Sequence, residues 1–352
     1  MISKNVVSLV ALAVTLVGGS AFAEDYPQHT AAKARSLTTC LTRSSNPILT
    51  RNKGDLQATK TALLASLCGA ACKTTETVSS AGNHVESSDW ALDLASDGTQ
   101  VSYVIKNAEA RSSQIGLPSS SRMTIAALET AGRAFIASKL ASVIELKSNE
   151  QLVAMTAAYR TETMQDRASK TQAPETVVAN RIVFNRTIDG VPVVGGGSTV
   201  IVTFANDGSI ESFRYDWPSY TTGSSVQTAL APSAIVSRVQ TVVQARSSQP
   251  NAVTSIPSSK GTYPVALGPQ TQLQDLECGY FDPGVNARAS KAPVQTGCTY
   301  HVVETLSGGG RAAHGGAVPA STQIESDDAW PETALLTGKA GTNGAPPPAS
   351  SP

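Results

Sequence analysis

Asn180 to Tyr220 reads NRIVFNRTIDGVPVVGGGSTVIVTFANDGSIESFRYDWPSY. Val200, Val202 and Phe204 occupy alternate positions, as do Phe213, Tyr215 and Trp217. Residues two apart in a strand share a face. The spacing predicts a hairpin of Thr199–Ala205 and Ser209–Trp217 over Asn206-Asp207-Gly208, with a preceding strand over Val177–Asn185. Asp189-Gly190 predicts a turn that accepts positive φ. Pro192 lacks a backbone donor, which predicts a sheet edge or a bulge. Gly195-Gly196-Gly197 permits a kink or close approach by another backbone.

Upstream, Gln151–Thr161 predicts a strand. Leu128, Phe135, Ile136, Leu140, Val143 and Ile144 predict a helix, with Ala131, Gly132 and Ala134 small enough for close approach to a sheet. Asp55 precedes a helical pattern of Leu56, Leu63, Leu64 and Leu67, and a hairpin is expected over Ser96-Asp97-Gly98-Thr99. Downstream, Pro232 opens a pattern of Ile235, Val239, Val242 and Val243. A Ser/Pro-rich loop over Ser247–Gly268 and two cysteine-bearing strands follow, and periodicity fades after Gly308-Gly309-Gly310. LASDGT at 94–99 echoes FANDGS at 204–209. The reading is an α+β fold of repeated units, each one helix packed on a small antiparallel sheet. The units span 36–117, 118–222 and 223–335, with a disordered Pro-rich tail over 336–352.

The central unit resembles the PepSY and FTP propeptide superfamily, the modules of thermolysin-like and fungalysin prosegments. The resemblance rests on IVFNR at 182–186, DGVPV at 189–193, Gly195 and the strand into Asp207-Gly208. It implies a module that binds or restrains another protein. A protein partner, a protease or an extended peptide, would sit at Asp189, Gly190, Val191, Pro192, Val193 and Gly195. The alternative is that Pro192 and the glycines blunt an edge against aggregation. Protease precursors of this kind carry a His-Glu-x-x-His helix, and this chain has none.

Residues 1–23 read as a signal peptide: Lys4, an apolar run from Val6 to Val17, and Ala21-Phe22-Ala23. The run is shorter than the ~20 residues needed to span a bilayer, and no later run is long and apolar enough to span one. The expected protein is therefore exported, either secreted or periplasmic, with no transmembrane segment after signal removal. What remains exceeds the ~250–300 residues at which one core usually splits. Basic and acidic residues balance at 27 each, which argues against nucleic-acid binding.

An exported chain favours disulfides. Cys278 and Cys298 lie in two apolar segments that neighbouring strands would bring within bridging distance, and are expected to pair; Cys40 is expected to bridge Cys68 or Cys72. Cys68 and Cys72 are one helical turn apart, which reads as an unsuitable pair. No metal or other cofactor is expected. The four histidines are His29, His84, His301 and His314. None is framed for a Ser-His-Asp site, and no Gly-x-Ser-x-Gly elbow, Gly-x-Gly-x-x-Gly turn or Walker loop occurs. The expected protein is not an enzyme. It binds a protein partner, or else serves as an envelope-associated structural protein of spacer units.

Overall fold

The computed structural model describes residues 28–29, 45–69, 72–108, 116–118, 122–162, 176–231, 234–235, 237–238, 241, 254–258, 261–265, 270–284, 293–305 and 311–321. The expected signal peptide, the tail and Cys40 lie outside them. The strands are β1 (Gln28–His29), β2 (Ser45–Arg51), β3 (Thr75–Ser79), β4 (Gly82–Glu86), β5 (Trp90–Ala95), β6 (Gln100–Ile105), β7 (Leu117–Pro118), β8 (Glu150–Glu162) and β9 (Thr176–Ile188). They continue with β10 (Val191–Val194), β11 (Thr199–Ala205), β12 (Ile210–Asp216), β13 (Tyr220–Thr228), β14 (Thr254–Ser258), β15 (Gly261–Val265), β16 (Gln270–Phe281), β17 (Gln295–Thr305) and β18 (Arg311–Pro319). Helix α1 is Leu56–Leu67, and α2 is Ile125–Phe135, continued by a π-helical turn over Ile136–Leu140.

The expected α+β fold of repeated helix-on-sheet units is wrong: the described residues are mostly β, with two named helices and one large sheet beside two two-stranded ribbons. The order along it is β18-β17-β16-β10-β9-β11-β12-β6-β5-β4-β3, with β8 also paired to β9. The physical reason is visible at β5–β6. Trp90, Leu92, Leu94, Val101 and Tyr103 give that hairpin one apolar face. A lone hairpin cannot hold such a face dry, and β6 instead pairs along β12, from Ser212↔Val104 to Asp216↔Gln100. Both helices then cover one continuous surface. Leu63 of α1 and Leu128 of α2 share a core cluster with Leu92, Val101, Ile182, Phe184, Val202 and Phe213. The two helical segments also meet, Ser66 Oγ donating to Lys139 O at 2.7 Å.

Local expectations fare better. Asp55 caps α1, accepting from the Gln57 and Ala58 amides. Gly98, Gly190 and Gly208 have positive φ, and Asp189 joins Gly190 there, so both central residues of the β9–β10 turn are left-handed. Several strands were not expected: β14 and β15 lie in the expected loop, β18 follows the glycines after which periodicity fades, and β1, β2, β3, β4, β7 and β13 carry no strand expectation at all.

The second part of the sheet holds its own core. Cys278 and Cys298 face each other directly across β16 and β17 and form a disulfide. They pack with Tyr280, Tyr300, Val191, Val193, Leu49 and Ile235. The other disulfide overturns the expected pairing of Cys40, because Cys68 bonds Cys72. Helix α1 stops at Leu67, so the two cysteines never share a helical turn. Gly69, at φ +66°, is left-handed just past the helix end, a conformation that closes a helix. No helix among the described residues is long and apolar enough to cross a membrane.

Gly132 of α2 is the close-approach residue. A Cβ there would lie 2.6 Å from the Phe184 ring and 2.9 Å from Ile182. Both side chains are fully buried and cannot swing away. Gly132→Ala is expected to destabilise the protein by ~1–3 kcal/mol in urea unfolding, despite the better helix propensity of alanine. Gly208→Ala has open space around it and should lose only the ~1 kcal/mol of its left-handed backbone.

Candidate partner-binding site

The stretch expected to bind a partner lies where the sheet forks. Along one edge of β9, β11 pairs with residues 179–185, and β10 pairs with Thr187 and Ile188. Beyond β11 lies β12; beyond β10 lies β16, parallel, through Val193↔Tyr280 and Val194↔Phe281. The backbone must pass between the two branches over Gly195–Ser198. Asp189 and Gly190 form an exposed turn, with the Asp189 carboxylate taking a hydrogen bond from Asn149 Nδ2 at 3.2 Å. Val191, Pro192, Val193 and Val194 are buried. The open edge expected there is filled by the chain's own β16, whose Gly279 lies against Pro192. Pro192 is instead the residue at which pairing to β16 is about to start, so its missing donor is harmless.

The glycines serve Asp282, the residue just after β16. A side chain on Gly197 would overlap the Asp282 carboxylate, and one on Gly195, at φ +97°, would overlap its carbonyl. Asp282 Oδ1 accepts from the Gly284 amide at 2.8 Å, an Asx turn. Arg51, the last residue of β2, donates from Nη1 to both Asp282 oxygens at 2.7 Å. Its Nη2 reaches Asp216 Oδ1 at 2.7 Å and Thr99 Oγ1 at 3.2 Å. The Tyr220 hydroxyl also donates to Asp282 and accepts from Ser198 Oγ. One guanidinium thus joins β2, the end of β12 and the end of β16.

The electrostatics follow from burial. Desolvation lowers the Arg51 pKa, but Asp282 and Asp216 outweigh it and the net shift is upward. Arg186 of β9 shifts the other way. Its burial outweighs the weaker help of Tyr220, Glu150 and Asp282. Its guanidinium carbon sits 3.9 Å from the centre of the Trp217 ring and 5.2 Å from that of Tyr220. Only Nη1 has a carboxylate, Glu150 Oε1 at 3.5 Å. The faces of the rings take the place of further acceptors.

These charges are paired with one another and tie strand ends together. Among the described residues, no group of three or more His, Cys, Asp or Glu is placed to hold a metal. His84 Nδ1 meets Asp93 Oδ1 at 2.6 Å on the exposed face of the sheet. Across β4, β5 and β6 the row runs His84, Asp93, Ser102. The acid stands between the imidazole and the hydroxyl, the wrong order for His to take a proton from Ser. His29, His301 and His314 lie in β1, β17 and β18.

A different strand has the properties expected of the Pro192 segment. β3 ends the strand order, and all five of its residues are exposed, Val78 at 71%. A two-residue loop makes Ser79 and Gly82 the closing pair with β4. By alternation, Thr75 and Thr77 bond toward β4, whereas Glu76 and Val78 turn their N–H and C=O groups outward. Sequence reasoning missed β3, Arg51, Asp216, Tyr220 and Asp282. The Asp-Pro-Gly turn after YF at 280–281 was the one local signal for Asp282. No protein-family model matches the chain, and no curated protein matches it.

Removing one member of the ionic cluster strands the others without water. Arg51→Met is expected to lose ~3–5 kcal/mol in urea unfolding, and Arg51→Lys to recover little, because one ammonium cannot bridge both carboxylates. Burial, with Asp282 second, raises the Tyr220 pKa well above its ordinary value, and burial raises that of Tyr215. Both phenols keep their protons when folded, whereas the unfolded chain releases them from about pH 10. Stability is therefore whole below about pH 10. Above it, each phenol costs up to ~1.4 kcal/mol per pH unit. Urea midpoints from pH 8 to 11 should show that fall, and Tyr220→Phe should flatten it while lowering stability at pH 8.

Proposed function

We propose that this is an exported, non-catalytic protein that binds an extended segment of a protein partner at the open edge of β3. One observation carries the reading: among the described residues, β3 is fully exposed at the end of a large sheet without the usual shields. Proteins blunt such edges with lysine, proline, bulges or covering loops. Thr75–Ser79 contains neither lysine nor proline, and its pairing with β4 runs without a register shift. Its one charged residue, Glu76, is drawn back to Lys60 of α1 at 2.7 Å and to Asn83 Nδ2 at 2.6 Å. Glu76 and Val78 are left with outward main-chain groups to which a strand can add.

Two observations support export. The amino-terminal sequence has the layout of a signal peptide, and disulfides of this kind form in oxidising compartments. The resemblance of the central stretch to propeptide modules makes exported peptidases the first partners to assay. Binding would restrain such an enzyme by occupying the stretch that it presents.

The test uses the oxidised mature chain as bait against the exported proteins of its source. Val78→Pro removes one outward donor and leaves the β3–β4 ladder whole, because an edge strand tolerates proline on its open side. It is expected to lose the captured partner at unchanged melting temperature, and any peptidase inhibition with it. Thr77→Pro, which breaks the ladder, should lose both binding and several degrees of stability. Capture that survives Val78→Pro overturns the reading, as does self-association of the purified chain through β3.

A further inference from the structure

The two disulfides differ in burial and in what surrounds them. Cys278 and Cys298 are fully buried in a core and sit opposite each other on paired strands. Cys68 and Cys72 are half-buried, at the end of α1, and only two residues separate Cys72 from β3. Strand β3 buries none of its residues. Among the described residues, three things hold it: its ladder with β4, the Lys60–Glu76 ion pair with the neighbouring Asn83 bond, and the covalent tie of Cys72 to Cys68. An exposed hairpin strand is marginal alone, so each of these matters.

We infer that the Cys68–Cys72 disulfide is a redox-sensitive clamp on the β3 edge, opened by an exported dithiol while Cys278–Cys298 stays closed. This rests on the reading of β3 as the binding edge. A thiolate of the dithiol attacks one sulfur of the pair, forms a mixed disulfide and releases the other sulfur as a thiolate. The dithiol's second thiol then resolves the mixed disulfide. Two electrons and two protons pass to Cys68 and Cys72, which become thiols, and the dithiol leaves as its own disulfide. Access decides which bond reacts. The Cα atoms of Cys68 and Cys72, held 5.5 Å apart in the oxidised chain, are then free to separate. The edge loses its preorganisation, and partner affinity falls roughly tenfold because more chain must be ordered on binding.

The experiment needs no partner for its first arm. The folded protein is treated with graded dithiothreitol, alkylated and digested. Cys68 and Cys72 are expected to label at reductant levels that leave Cys278 and Cys298 unlabelled. Amide exchange at Thr75 and Thr77, whose N–H groups face β4, should then accelerate at least tenfold, with β8 and β9 unchanged. Cys68→Ser/Cys72→Ser should show the same fast exchange without reductant. Labelling of all four cysteines together overturns the proposal, and so does selective labelling with β3 exchange unmoved. Neither result touches the binding reading, which stands or falls on Val78→Pro. Where that variant does lose the partner, equal partner affinity of the oxidised and reduced chains also overturns the clamp.

Discussion

The grip of Arg51 on Asp282 and Asp216 is the constraint on which the architecture turns. A sheet that forks leaves two strand ends side by side with unpaired polar backbone between them, and something polar has to fill the gap. Here Asp282 fills it. Its carbonyl takes the Gly197 amide, its own amide bonds Val194 O, and its carboxylate faces Arg51 and Tyr220. The glycine run is the negative image of this residue, since a Cβ on Gly195 or Gly197 would stand where Asp282 stands. Such a cluster adds little net stability, because desolvation offsets most of the Coulombic gain. Its value is in excluding alternatives. Any slip of β16 along β10, or of β2 along β13, strands at least two buried charges.

The neighbouring Arg186 shows how the same side chain can be held in two ways within one junction. Arg51 is held by carboxylates and is driven further toward its charged form. Arg186 is held mainly by aromatic faces and shifts toward neutrality. Between them, Tyr220 touches both systems: its hydroxyl reaches Asp282, and its ring lies near Arg186. The junction therefore couples the β2–β13 ribbon to the main sheet through Arg51 of β2 and through this tyrosine, which starts β13 and pairs with Arg51 itself.

What the sequence showed was what depends on near neighbours. The Asp-Gly turns, the Asp55 cap, the strands β8, β9, β11 and β12, the Gly132 approach and the Cys278–Cys298 pair all rest on residues whose partners are close in the chain or on adjacent strands. Side-chain alternation tells which face of a strand is buried but not which strand lies beside it. For that reason β6 on β12 and β10 on β16 could not be read, and a shared sheet was taken for separate units. Pro192 illustrates the ambiguity: a missing donor reads equally as an open edge or as the position just before pairing begins. The fork residues Arg51, Asp216 and Asp282 were invisible because the residues they join are 165 and 231 positions apart from Arg51. Strand β3 was missed for the opposite reason. A strand that buries nothing has no hydrophobic pattern to announce it.

The two disulfides divide the molecule along the same line. In the chain-entropy model, the pair separated by 20 positions restrains the unfolded chain by ~3 kcal/mol, and the pair separated by 4 by only ~2 kcal/mol. The larger loop also joins strands that already pair, in a core that would persist in part without it. The smaller one stabilises the fold less, yet it sits between a helix end and a strand that buries none of its residues. A bond of small global worth placed at the least buried strand acts on local order, because the free energy of opening β3 is set by the few contacts that β3 itself makes. The rigid, ionically cross-braced fork and the loosely held edge are then two regimes of one sheet. The first fixes the strand order, and that order leaves β3 outermost, with Glu76 and Val78 facing solvent.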